Sequence, residues 1–65
     1  MIMLTAIRLG VNDRFQFRIE PENDAPTVTR DPVKAAKILF RLGVDQPLRL
    51  IEHAQHWGCV EIVRH

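Results

Sequence analysis

Two segments in the second half of the chain share one pattern of helix-starting and helix-stopping residues. The first begins at Asp31-Pro32 and ends before Gly43; the second begins at Asp45, has Pro47 in its first turn and ends at Gly58. Aspartate accepts hydrogen bonds from the free N–H groups of a first helical turn, and proline there gives up an N–H that has no partner. Glycine suits the left-handed residue that follows a helix. The pattern therefore predicts two short helices joined by a tight link.

The first of these segments is apolar over well over half of a helical circumference. Its apolar residues are Val33, Ala35, Ala36, Ile38, Leu39, Phe40 and Leu42. A helix with so wide an apolar surface has to be covered on more than one side. We therefore expect it to pack on a sheet and also to touch the second helix or another subunit.

Strand-like sequence precedes and follows the two helices. Residues 15–20 alternate apolar and polar side chains, residues 3–9 are apolar on both faces near their start, and residues 10–13 carry turn-forming glycine, asparagine and aspartate. This combination predicts a hairpin with an interior first strand, followed by a polar, proline-containing loop over residues 21–26. Residues 59–64 again alternate and predict a last strand.

The predicted fold class is α+β: a ββααβ domain with a three-stranded sheet and two short helices on one face. A chain of 65 residues forms a single domain, residues 1–65, with a small core. It has one cysteine, which favours a reducing compartment, and no stretch long and apolar enough for a membrane span. We therefore expect a soluble cytoplasmic protein without a membrane partner.

The most specific surface feature is a row of four cations at spacings of four, three and four: Arg30, Lys34, Lys37 and Arg41. On a helix this spacing places them on one stripe, where they can meet phosphates or the acidic surface of a partner. The alternative is a solvated face neutralised by acidic residues of the 21–26 loop, Glu22 and Asp24. No aromatic side chain alternates with the cations, which weakens the case for single-stranded nucleic acid.

Three metal-capable residues follow at spacings of three: His53, His56 and Cys59. Gly58 ends the helix before Cys59, so we expect the thiol to turn into the apolar strand, where it would be inert. A nucleophilic cysteine with a histidine base could be drawn from the same residues, but such a site needs an activated thiolate and an orienting third group, and a thiol in an apolar strand is expected to be inert. The sequence thus predicts no catalytic site, no cofactor and no metal site.

Two further interpretations concern the second helix. Gly43 and Val44 resemble the turn of a helix-turn-helix, but the core positions of its second helix would hold Arg49 and Glu52, which should be apolar. Trp57, the only tryptophan, lies on the apolar face near the helix end. We expect it to fill the core, with an exposed anchor for a partner as the alternative.

These observations favour a small non-enzymatic interaction module, a regulator or inhibitor that binds the acidic surface of a larger protein. The predicted partner-binding residues are Arg30, Lys34, Lys37 and Arg41. Homodimer formation is a second way to cover the excess apolar surface of the first helix. By analogy, small stand-alone binders of this kind occur among phage and mobile-element proteins. Nucleic-acid binding through the same row is the less favoured alternative, because the formal net charge is only +1.

Overall fold

The computed structural model describes residues 1–10 and 14–63. Within these ranges the chain forms four strands and two helices, which are β1 (Ile2–Arg8), β2 (Phe15–Glu20), β3 (Thr27–Thr29), α1 (Pro32–Arg41), α2 (Pro47–Trp57) and β4 (Cys59–Ile62). The predicted α+β class is confirmed. The predicted hairpin turn at 10–13 and the end of the last strand at residue 64 fall partly outside the described residues.

The sheet is antiparallel throughout, with the order β3-β2-β1-β4. It therefore has four strands where the sequence predicted three, because the segment after the 21–26 loop turns back and pairs with β2. Strand β1 is interior, as its two apolar faces indicated. Strands β3 and β4 form the two edges of the sheet.

One face of the sheet carries the core. The register places Leu4 opposite Ile19 and Ala6 opposite Phe17, and the same face continues into β4 through Ile62, which pairs with Ile2. Helix α1 packs over β2 and β3, whereas α2 packs over β1 and β4. The largest completely buried side chains are Phe17, Leu4, Ile19 and Leu39. The two helices thus lie on one face of the sheet, as predicted.

Helix α1 begins and ends where the sequence predicted. The Asp31 carboxylate accepts a hydrogen bond from the Val33 N–H at 2.9 Å, and Pro32 is the first helical residue. After the last turn, Gly43 takes a φ of 85°, a left-handed conformation that suits glycine. Local sequence therefore determines both the cap at the start of α1 and the turn that follows its end.

Helix α2 begins differently from the prediction. The residue at its N-cap is Gln46, in the left-handed region with φ 53° and ψ 56°, and no side chain caps the first turn. Asp45 lies one residue too early to cap, because the left-handed Gln46 turns the chain between Asp45 and Pro47. The helix ends at Gly58, with φ 88°, as predicted.

Within residues 1–10 and 14–63, no helix is long and apolar enough to cross a lipid bilayer.

Candidate functional site

Three of the four predicted partner-binding cations lie together. Lys34, Lys37 and Arg41 line one groove of about 480 Å³ between α1 and the edge strand β3. Arg30 lies before the helix begins and lines a different cavity, of about 630 Å³, together with Arg14 and Phe15. The structure therefore brings Lys34, Lys37 and Arg41 into one basic row and places Arg30 apart from it.

The basic row is not neutralised by the acidic loop. In the part of the chain that the structure describes, the salt bridges join the Met1 ammonium to Glu22 and Arg18 to Glu20. Glu22 is thus engaged at the N-terminus, where the hydrogen bond and the positive charge of the Met1 ammonium hold the pKa of its carboxyl below the ordinary value of 4.5. Lys34, Lys37 and Arg41 are exposed and have no acidic partner within the described residues.

Next to the basic row, α1 exposes an apolar ridge. Val33 is 56% exposed and Phe40 is 69% exposed, although both lie on a helix that packs against α2, β2 and β3. Together with Leu48 of α2, which is 59% exposed, they border a second groove of about 350 Å³ between the helices. Lys37 and Arg41 line this groove too, so the two grooves share the same cations.

Helical geometry explains this arrangement. Ala35, Ala36 and Leu39 are the buried residues of α1 and define its inner side. At about 100° per residue, Val33 and Phe40 differ by only about 20° in direction, and Lys37 lies within about 60° of both. The wide apolar arc noted in the sequence is therefore only partly covered within one molecule, and its outer edge runs directly beside the cations.

Two residues that the sequence assigned to the interior are exposed. Trp57 is 73% exposed at the end of α2, where the His56 ring meets it edge-on at a centroid distance of 4.9 Å. Cys59 is exposed too, with its Sγ 3.0 Å from the Met3 Sδ. Trp57 is exposed because the apolar arc of α2 is wider than the part that the core covers, and its inner face needs only Ile51 and Ala54. Cys59 is exposed because it pairs with Thr5, which lies on the face of the sheet opposite the core. Both expectations were therefore wrong.

His53, His56 and Cys59 are not grouped as a metal site requires. Among residues 1–10 and 14–63, no group of three His, Cys, Asp or Glu side chains is arranged to hold a metal ion, and this includes His53, His56 and Cys59. The helix-turn-helix alternative is also disfavoured, since Arg49 and Glu52 are exposed where that motif needs core residues.

No protein-family model matches this chain, and neither the curated proteins nor the solved structures contain a significant match to it. The chemistry of the surface described above is therefore the feature that bears on function. The surface formed by Lys34, Lys37, Arg41, Val33, Phe40 and Leu48 is called the α1 surface below.

Proposed function

We propose that this protein is a non-enzymatic interaction module, a regulator or inhibitor that binds a larger protein through the α1 surface. The observation that carries the proposal is Phe40, an aromatic side chain that is 69% exposed and shares a groove with Lys37 and Arg41. Large aromatic anchors surrounded by polar groups are typical of binding hot spots. Scattered single apolar residues are normal on surfaces, but here three lie beside one groove.

The charges of the α1 surface select the kind of partner. Lys34, Lys37 and Arg41 have no acidic partner within the described residues, so an acidic surface would complement them without first breaking a salt bridge. Complementary charge speeds the encounter and fixes the orientation, while the apolar ridge supplies area to bury. The partner surface is therefore expected to combine carboxylates with an apolar pocket or ridge.

The charge distribution also disfavours the symmetric homodimer through this surface. In a two-fold interface the same patch meets itself. The basic rows of both copies would then lie in one contact, and none of the residues of the α1 surface is a carboxylate that could pair with them. A different, acidic protein is the better match.

The test begins with affinity capture from the native host and identification of the captured protein. Binding of the purified partner is then compared for wild type, Phe40→Ala, Lys37→Glu and Arg49→Glu by titration calorimetry. Loss of a central aromatic anchor is expected to weaken binding about tenfold or more, and Lys37→Glu is expected to weaken it increasingly as salt is lowered.

Arg49→Glu is the matched control. It makes the same change in net charge as Lys37→Glu, and its position on the third residue of α2 is one where a glutamate suits the helix dipole. It is expected to bind like the wild type. Equal affinity of wild type, Phe40→Ala and Lys37→Glu for the captured partner would overturn the proposal.

Nucleic-acid binding is the second candidate, and one structural observation favours it. Phe40, which the sequence pattern placed in the wide apolar arc of the first helix, is exposed beside two cations and is available to stack on a base. Three phosphate contacts predict that the logarithm of the affinity falls with the logarithm of salt by a slope of about −2 to −3. Absence of binding to labelled single-stranded and duplex oligonucleotides at low salt would exclude this candidate.

A further inference from the structure

The groove on the sheet side of α1 places an edge strand of the sheet beside a row of cations. One wall is the edge strand β3, and the other wall is the row Lys34, Lys37 and Arg41, with the half-buried Ile38 between them as an apolar floor. The groove has a volume of about 480 Å³. An edge strand and a row of cations on one groove are features that an extended acidic chain can use.

Strand β3 offers backbone hydrogen-bonding groups to this groove. It pairs with β2 along one side only, and it is last in the sheet order. In an antiparallel pair, alternate residues direct their N–H and C=O groups away from the partner strand, so an edge strand presents a template for one more strand. No charged side chain lies within Thr27–Thr29 to oppose such pairing.

The register places the incoming side chains near the cations. Thr29 lies opposite Phe17 and Thr27 opposite Ile19, so these two threonines share the sheet face on which α1 packs. A strand added beside β3 would direct every second side chain to that same face. Those side chains repeat about every 6.7 Å, and Lys37 and Arg41 are separated by about 6 Å along the helix axis.

We infer that the partner contributes an extended acidic segment, which adds to β3 as a fifth strand and directs alternate carboxylates at Lys34, Lys37 and Arg41. This inference rests on the proposed function and specifies the structural form of the partner. Main-chain hydrogen bonds to β3 provide part of the affinity, and the cations of α1 select acidic side chains.

The other edge of the sheet and a second copy of the chain are less suitable occupants. Strand β4 carries Glu61 and has no lysine or arginine within its four residues, so it would repel an acidic segment. Pairing of β3 with β3 of a second copy would bring two basic rows together. The charge therefore selects an acidic chain at β3.

The probe is a decapeptide of alternating threonine and glutamate, compared with its threonine–glutamine counterpart and with a helical alanine–glutamate peptide of equal charge. Binding is followed at low salt through the backbone amide signals of the ¹⁵N-labelled protein. The threonine–glutamate peptide is expected to bind about tenfold more tightly than the glutamine version, through three ion pairs of ordinary surface strength. The amides of Thr27–Thr29 are expected to shift and to exchange more slowly with solvent.

Two changes separate strand addition from simple charge attraction. Methylation of alternate backbone nitrogens of the peptide leaves its charge intact but removes hydrogen-bond donors, and the version methylated on the edge that faces β3 is expected to lose binding. Lys34→Glu in the protein is expected to lose it as well, whereas Arg49→Glu is not.

The outcomes distinguish this inference from the proposed function. Strand addition would be overturned by any of four results. The first two are equal binding of the glutamate and glutamine peptides, and no detectable binding. The others are insensitivity to N-methylation on both edges of the peptide, and stronger binding of the helical peptide with unshifted β3 amides. The proposed function would survive each of these results if the captured partner still required Phe40 and Lys37. The proposed function would fail, independently of strand addition, if the captured partner required neither Phe40 nor Lys37.

Discussion

The carboxylate of Asp31 accepts a hydrogen bond from the backbone N–H of Val33 at 2.9 Å. This contact satisfies one of the free donors in the first turn of α1, the helix that carries the α1 surface. No equivalent side-chain contact exists at the start of α2, although an aspartate is present there as well. The two aspartates are alike in sequence and different in structure, which gives the first prediction.

Asp31→Ala is expected to destabilise the protein by about 1 kcal/mol, because the N–H of Val33 loses its partner. Asp45→Ala is the matched control and is expected to change the free energy of unfolding by less than about 0.5 kcal/mol. Urea denaturation followed by circular dichroism measures both. Equal losses at the two positions would contradict the assignment of Asp31 as the cap.

Gln46 provides a second prediction because it holds the left-handed conformation without being glycine, at φ 53°. This conformation strains a residue that has a Cβ, by roughly 1–2 kcal/mol, whereas glycine adopts it freely. Gln46→Gly is therefore expected to raise the free energy of unfolding by about 0.5–1 kcal/mol, after allowance for the greater freedom of glycine in the unfolded chain.

The control for this change is Gln55→Gly, inside α2. A glycine in a helix interior costs about 1 kcal/mol, so this variant is expected to be less stable than the wild type. If both glycine variants lost stability, the backbone of Gln46 would not have the conformation described here.

Much of the fold could be predicted from local sequence signals. The alternation over Phe15–Glu20, the cap at Asp31 and the glycines after each helix correspond to the observed elements. These signals operate over a few residues, through hydrogen bonds and backbone conformation, so they do not depend on the rest of the molecule. Strand β3 was missed because three residues with two threonines carry no periodicity, and it forms only by pairing with β2.

The candidate site was predictable only in part. Spacing predicted that Lys34, Lys37 and Arg41 share a stripe, because helical geometry fixes that relationship. It did not place them beside β3, since that strand had not been predicted. The exposure of Phe40 could not be predicted from the sequence either. A wide apolar arc does not specify which of its residues the sheet and α2 cover.

Cys59 is exposed, and the third prediction concerns its reactivity. In the native protein its thiol is expected to react with Ellman's reagent at a rate comparable to that in denaturant, since no part of the fold has to open first. The control is Ala54→Cys in a Cys59→Ser background. Ala54 is completely buried, so a thiol there is expected to stay unreactive until the protein unfolds. A protected Cys59 would contradict its placement on the open side of the sheet.

The fourth prediction concerns the pH dependence of stability. The Met1 ammonium lies 2.9 Å from the Glu22 Oε2 and lowers the pKa of that carboxyl in the folded state below its ordinary value of 4.5. A lowered pKa in the folded state means that the contact stabilises the protein above the ordinary pKa. That contribution is lost as the pH falls through the lowered value.

Glu22→Gln is therefore expected to be slightly less stable than the wild type near neutral pH and equally stable in strong acid. The difference is expected to be small because both groups are exposed, and it should shrink in high salt. Thermal unfolding as a function of pH measures it. A difference that stayed constant from neutral to strongly acidic pH would show that the charge of Glu22 is not the cause.

The last prediction separates binding from stability on the α1 surface. Phe40 is 69% exposed, whereas Phe17 is completely buried between the sheet and the helices. Phe40→Ala is expected to change the free energy of unfolding by less than about 0.5 kcal/mol, while Phe17→Ala is expected to cost about 3–5 kcal/mol. A loss that large takes away most of the stability a domain of this size has. Phe17→Ala is therefore expected to be largely unfolded by circular dichroism, and Phe40→Ala to be fully folded. If Phe40→Ala unfolded as well, Phe40 would belong to the core and would not be free to bind a partner.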